Sequence, residues 1–310
     1  MAIDSLLHLA RMLKSTGYVF TTVTPATHAR VNSRADNVWA RSTEDVFGWS
    51  RPFREGVLTP ELFQAMRDAD VLDTHGDGWI SRVRASTLRD ELFLHSAYPT
   101  TAPDAIFFGP DTYRFTNAIA QYLKDGEVHV RRAVDVGCGA GPGAVVVALE
   151  RPQADVFAVD INDTALQYTT INARLADVGR ISAQHSNLLA SVDGDFDLIV
   201  ANPPYLLDST QRAYRHGGGS LGEGLSLAIA GLARTRLTPG GTLLLYTGTA
   251  IVDGVDSFRS LLAPMLDASG LEWHYQELDP DVFGEELIEP AYAHADRIAA
   301  VLLTVRKLPS

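Results

Sequence analysis

From about residue 130 to residue 250, short apolar runs alternate with amphipathic ones, and that alternation fixes the fold class. VRRAVDVG, DVFAVD, ISAQHSNLL, FDLIVANPPY and GTLLLYTGT read as strands. Helical patterns begin near Gly143 and cover 163–177 and 225–236 between them. Apolar strands separated by helices predict an α/β fold, a parallel sheet covered on both faces. The closing segments LEWHYQEL and RIAAVLLTVRK are strand-like with no convincing helix between them, which predicts a β-hairpin-like finish. Earlier in the chain the pattern differs. Residues 5–16 put Leu6, Leu9 and Leu13 on one helical face, and Gly17 stops that helix. Thr59 and Pro60 are a start signal for a second helix. The turn cluster His75–Gly78 follows, and WISRVRAS then alternates like a strand. The change of pattern after Pro99 and the loop through Pro103 predicts two domains, 1–103 and 104–310.

Helix, turn and ribbon in that order resemble a winged-helix module, a frequent DNA binder. The charge argues against that use, because a net charge of −12 repels polyanions. The nearest basic groups, Arg82 with Arg84 and Arg131 with Arg132, read as solvated surface. The first 103 residues are therefore read as a substrate-recognition domain or cap. A small molecule or peptide is the expected partner, and nucleic acid is disfavoured. One cysteine, Cys138, excludes an internal disulfide, and the nine histidines lack the helical spacing of a metal site, so no metal is expected. No run approaches the ~18 apolar residues of a membrane span. The N-terminus lacks the pattern of a secretory signal, and a cytoplasmic location is the expectation.

The sharpest local signal is Asp135-Val-Gly137-Cys-Gly139-Ala-Gly141-Pro-Gly143, placed directly after an apolar strand and opening a helix. Glycines there allow a tight turn and close approach of a ligand to the backbone, beside helix N–H groups. The next strand ends in Asp160, ~20 residues beyond the loop, where nucleoside-binding folds place a ribose-binding carboxylate. A third element separates the two candidate nucleoside cofactors, a nicotinamide dinucleotide and S-adenosylmethionine. The fourth strand ends in Asn202-Pro203-Pro204-Tyr205, at the carboxyl edge where open α/β sheets bind ligands. Asn202 and the Pro203 carbonyl can accept hydrogen bonds from an N–H, and Tyr205 offers a flat face for stacking. That combination suits a nitrogen nucleophile held with its lone pair toward an electrophile.

On these motifs residues 106–310 resemble a class I S-adenosylmethionine (SAM)-dependent methyltransferase. The resemblance is to the small-domain group with NPPY, which includes the release-factor glutamine and several rRNA and tRNA base N-methyltransferases. It implies a Rossmann-like sheet of seven strands with the last one reversed, behind a smaller N-terminal helical or winged-helix-like domain. It also implies SAM as cofactor. Asp135, Gly137, Gly139 and Gly141 would then line the methionyl moiety, Asp160 would bind the ribose diol, and Ile161 would pack on the adenine. Asn187 stands where the family often has Asp near the adenine amino group. Asn202, Pro203 and Tyr205 would face the reacting amine. The segment 107–115 resembles a piece that crosses the SAM pocket, which makes Tyr113 and Arg114 candidates for the SAM carboxylate or a substrate acid. Tyr214 and His216 are substrate candidates in a glycine-rich run. The first hundred residues do not resemble the release-factor-binding domain. N-methylation of a small molecule or peptide is the leading expectation. Cyclisation of SAM to azetidine-2-carboxylate with release of methylthioadenosine is the alternative, and rRNA or tRNA base methylation is a third.

Overall fold

The computed structural model describes residues 3–124, 129–207 and 215–309. The chain opens with four helices, α1 (Ile3–Ser15), α2 (Pro25–Asn32), α3 (Thr43–Phe47) and α4 (Pro60–Asp68). Leu6, Leu9 and Leu13 of α1 are buried, and the helix ends ahead of Gly17, whose φ of 76° suits a residue without a Cβ. α2 and α4 start alike: Thr24 and Thr59 accept from the amides of Thr27 and Leu62, each with proline as the first helical residue.

Two hairpins follow, β1 (Leu72–His75) with β2 (Gly78–Ser81) and β3 (Val83–Leu88) with β4 (Glu91–Ser96). This corrects the reading of WISRVRAS as one strand. The Ser81 hydroxyl bonds the Val83 carbonyl at 2.7 Å, and the chain turns at Arg82 from one two-stranded sheet into another. Arg84 corrects a second expectation: it is buried, its Nε donating to the Gly48 carbonyl at 2.6 Å. Arg82 remains exposed, paired with Asp70 at 2.9 Å. Arg132 is half-buried over the rings of Phe157 and Phe196.

The remaining chain builds the expected α/β sheet. Its strands are β5 (Arg132–Val136), β6 (Asp155–Asp160), β7 (Ile181–His185), β8 (Phe196–Ala201), β9 (Leu237–Val252), β11 (Glu272–Asp279) and β12 (Arg297–Arg306). A two-residue strand, β10 (Val255–Asp256), folds back on the end of β9. The order across the sheet is β11-β12-β9-β8-β5-β6-β7, with β12 antiparallel to both neighbours and the other pairs parallel. Seven strands thus run across the sheet with the last one reversed, as expected, and β10 beside β9 makes an eighth. Between β11 and β12 the chain makes only short 3-10 turns, at Gly284–Ile288 and Pro290–Tyr292.

Alternate residues of β8 face opposite cores. Leu198 and Val200 point toward α5 (Pro110–Lys124), α6 (Pro142–Glu150) and α7 (Asp163–Leu175), whereas Ile199 and Ala201 point toward α8 (Gly224–Arg236) and α9 (Ser257–Asp267). The first of these cores runs on without a break into the N-terminal helices and hairpins. Asn172 of α7 ties the two parts together. Its buried amide accepts from the Leu94 N–H and donates to the carbonyls of Leu94 and Ala140, all within 2.9 Å, joining β4 to the glycine loop. No helix among the described residues is long and apolar enough to cross a membrane.

Candidate functional site

The register of the sheet assembles the site. Val136 pairs with Val159 on one side and Ala201 on the other, so the next residues, Gly137, Asp160 and Asn202, stand abreast at the carboxyl ends of three strands. The chain leaves β5 toward β6 on one side and returns through β8 on the other, which makes this edge the topological switch point where such sheets bind ligands. A cavity of about 370 Å³ lies over it, within the range of small-molecule sites. The strand-end loops form its floor, and Pro25, Tyr98–Thr101, Ile106 and Phe107 from outside the sheet form part of its wall.

The glycines of the loop after β5 divide into two kinds. A Cβ on Gly137 would meet nothing within 4 Å, so its backbone stays open to the cavity. Gly141 and Gly143 serve packing instead. A Cβ on the first would lie 2.9 Å from the Thr169 side chain, and on the second 2.6 Å from Asp135 Oδ2. Asp135 is fully buried, accepts from the Ala144 N–H at 2.9 Å at the start of α6, and is pushed up to about 7 by that burial. Asp160 accepts from the Gly139 N–H at 3.0 Å through one oxygen and from the Asn162 N–H at 2.9 Å through the other. Each oxygen keeps lone-pair capacity for a further donor. Burial raises its pKa, against the pull of those backbone bonds. Beside it, Ile161 is 54% exposed, an apolar side chain at the cavity edge, and Asn187 lines the same end.

At the other end Asn202 is half-buried, and its amide has no hydrogen-bonding partner among the described residues. Pro203 lines the cavity next to it. Tyr205 is held on three sides. Its hydroxyl donates to Asp111 Oδ2 at 2.5 Å, a Cβ on Gly248 of β9 would strike its ring, and Phe283 packs edge-on at 5.9 Å. Asp111 also accepts from the Tyr246 hydroxyl at 2.6 Å and pairs with Arg114 at 3.2 Å. Burial raises the Asp111 pKa, opposed by these bonds. Sequence reasoning passed over Asp111. It lies in the quoted segment 107–115, but nothing local marks an aspartate at the start of a helix as more than an N-terminal charge.

Other expected residues lie elsewhere. Tyr113 accepts at its hydroxyl from the Thr22 N–H at 3.0 Å, and Arg114 reaches Asp279 at 2.6 Å; both tie α5 to its neighbours and neither lines the cavity. Aromatic and cationic types alone do not fix the side of a helix they occupy. His216 pairs through its backbone with Leu206 beside the NPPY turn and is absent from the cavity wall, whereas Arg215, one residue earlier, lines it and pairs with Glu286. Tyr214 lies outside the described residues.

A family model described as "Methyltransferase small domain" matches residues 114–249. A release factor glutamine methyltransferase of Mycobacterium leprae is 34% identical over 55% of this chain and 67% of its own length. The chain belongs to the class I SAM-dependent methyltransferases. A release factor glutamine methyltransferase of Deinococcus radiodurans is 35% identical over 53% of this chain and 62% of its own length. Among solved structures, the tRNA m1G37 methyltransferase of M. jannaschii shares the fold at a TM-score of 0.50, with 15% identity over 74% of this chain and 58% of that one. This methyltransferase thus spans about two thirds of the curated relatives named here.

SAM is the cofactor of this class, and the cavity fits it. The open backbone at Gly137, the two acceptor oxygens of Asp160 and the exposed apolar Ile161 suit a polar chain, a diol and a flat base in turn.

Proposed function

We propose that this methyltransferase transfers the methyl group of SAM to an amino or amide nitrogen of a small molecule or peptide. Asp135, Gly137 and Gly139 form the methionyl side of the site, with Asp135 shaping the loop from beneath, and Gly141, expected there too, packs against Thr169 instead. Asp160 takes the ribose hydroxyls, and Ile161 and Asn187 border the adenine. When bound, SAM supplies the electrophilic methyl group. The acceptor nitrogen is oriented by this chain: the Asn202 amide oxygen and the Pro203 carbonyl accept its N–H hydrogens, which turns the lone pair toward the methyl group. Tyr205, locked by Asp111, gives the flat wall on that side. Positioning of this kind can lower the barrier by ~7–11 kcal/mol and needs neither metal nor strong acid.

The observation that carries this reading is the Asn202 amide, without a partner among the described residues and abreast of Asp160 at the same sheet edge. The relatives named above are methyltransferases, two of them acting on a release-factor glutamine by name, which supports an amide or peptide acceptor. They lend no support to ring closure within SAM. The net charge of −12 favours a non-nucleic-acid partner. Residues 1–103 are read as the acceptor-recognition domain or cap. Asn202→Ala tests the proposal: SAM affinity by calorimetry should hold while turnover is lost. Wild-type turnover in that variant would reduce NPPY to a strand-ending turn.

A further inference from the structure

Arg84 is a buried cation with no anion beside it among the described residues. It sits on β3 and is 4% exposed. Its Nε donates to the Gly48 carbonyl, and its guanidinium lies 5.4 Å from the centre of the Phe20 ring. Its Nη2 has no partner among the described residues, and no carboxylate there pairs with it. The groups around it are neutral. His95 places Nδ1 at 3.1 Å from the Ser96 carbonyl and Nε2 at 2.7 Å from the Ser86 hydroxyl, so its proton is on Nδ1. His28 has Nδ1 3.4 Å from the Asn32 amide nitrogen, and its buried Nε2 has no hydrogen-bonding partner among the described residues. Burial lowers the pKa of both imidazoles, that of His28 to about 4, and the Arg84 charge acts in the same direction on each.

A small cavity of about 10 Å³ lies against Arg84, His95 and Ser96, with room for one water-sized atom. Its other walls include Pro25, Tyr98, Thr100 and Phe107, which also line the large cavity. The His28 ring lies 4.0 Å from that of Tyr98. A buried guanidinium nitrogen without a partner among the described residues, and its positive charge, thus lie behind a wall shared with the large cavity. A water would satisfy a donor and leave the charge unanswered. An anion answers both.

We propose that Arg84 recognises a carboxylate on the methyl acceptor, one oxygen of which enters the small cavity past the shared wall. This rests on the large cavity being the acceptor's place. The space for a single oxygen favours a planar carboxylate over a tetrahedral phosphate.

The test measures the thermal unfolding midpoint of the whole chain in sodium acetate, in sodium phosphate and in sodium chloride at matched ionic strength, for wild type, Arg84→Met and Arg84→Lys. Methyl transfer is not read, so the result is independent of the proposed chemistry. Acetate should raise the wild-type midpoint in a saturating way beyond chloride. The apparent acetate affinity should weaken tenfold or more in Arg84→Met, with Arg84→Lys between the two. Without acetate, Arg84→Met should unfold no earlier than wild type, because an apolar side chain of similar length replaces an unpaired buried charge. Equal wild-type midpoints in acetate and chloride would overturn the proposal, as would an Arg84→Met response matching wild type. A rise with phosphate alone would overturn the carboxylate assignment.

Discussion

Replacing Asp111 with alanine should destabilise the protein and disable the acceptor end of the site while sparing the cofactor end. In the wild type its two oxygens accept from the hydroxyls of Tyr205 and Tyr246, both buried, and one of them also meets Arg114. A buried donor left without its partner costs ~1–3 kcal/mol, so two orphaned hydroxyls amount to ~2–6 kcal/mol. Arg114 adds little, since it keeps Asp279 at 2.6 Å and is one-third exposed. Against the ~5–15 kcal/mol of a typical domain the loss is large. Asp111→Asn keeps the shape and one acceptor oxygen and turns the other into a donor, so it should fall between, at ~1–3 kcal/mol. Urea unfolding followed by circular dichroism gives the order wild type, Asn, Ala. Calorimetry on the folded fraction should find SAM affinity retained, because Asp160 and Gly137 do not touch Asp111. Turnover should drop as Tyr205 loses its tether. An Asp111→Ala protein within ~0.5 kcal/mol of wild type, with normal turnover, would refute the reasoning.

Two further outcomes follow from the other carboxylates. Asp160→Ala should weaken SAM binding tenfold or more, since hydrogen bonds to a charged group contribute ~1.5–3 kcal/mol each; unchanged affinity by calorimetry in a folded variant would remove Asp160 from the ribose. Asp135 is pushed up to about 7 by burial, against ~3.9 for an unfolded aspartate. Between these values the folded protein holds a proton that the unfolded chain has released, so this group's contribution to stability declines as pH rises from ~4 to 7 and is level above. Asp135→Asn, which keeps an acceptor for the Ala144 N–H, should remove that decline, and parallel stability profiles for the two proteins from pH 4 to 8 would contradict it.

The sheet and its cofactor edge were legible in the sequence because their signals are local. Apolar runs such as LIVA in β8 are buried on both faces, and the loop opening at Gly137 and the strand ending at Asp160 follow directly from those runs. The even spacing of the motifs from their strands then sets Gly137, Asp160 and Asn202 abreast. The acceptor end was only half legible. Asn202 and Tyr205 announce themselves in NPPY, but their support comes from residues far away in sequence: Asp111 on α5, Gly248 on β9 and Phe283 between β11 and β12. Tyr113 and Arg114 were candidates because segment 107–115 resembles one that crosses the pocket; Asp111, Thr112 and Phe115 of that segment do line the cavity, whereas Tyr113 and Arg114 turn to Thr22 and Asp279. The N-terminal part was least legible. Its strands are four to six residues long, and the break at Arg82 is held by contacts distant in sequence, the Arg82 N–H donating to Val71 and its carbonyl accepting from Ala97. Arg84 looked like surface because arginines usually are, and only tertiary packing buries it.

The central claim, nitrogen methylation in the cavity over β5, β6 and β8, is tested most directly by following both halves of labelled SAM. The protein is incubated with SAM carrying a deuterated methyl group, alone and with a mixture of glutamine-containing peptides and small amines, and the products are resolved by mass spectrometry. The account predicts little turnover with SAM alone. With an acceptor it predicts S-adenosylhomocysteine in step with one intact deuterated methyl group on an acceptor nitrogen, and loss of both signals in Asn202→Ala. Rapid release of methylthioadenosine from SAM alone, in step with a cyclic amino acid, would contradict it, as would label on carbon or oxygen.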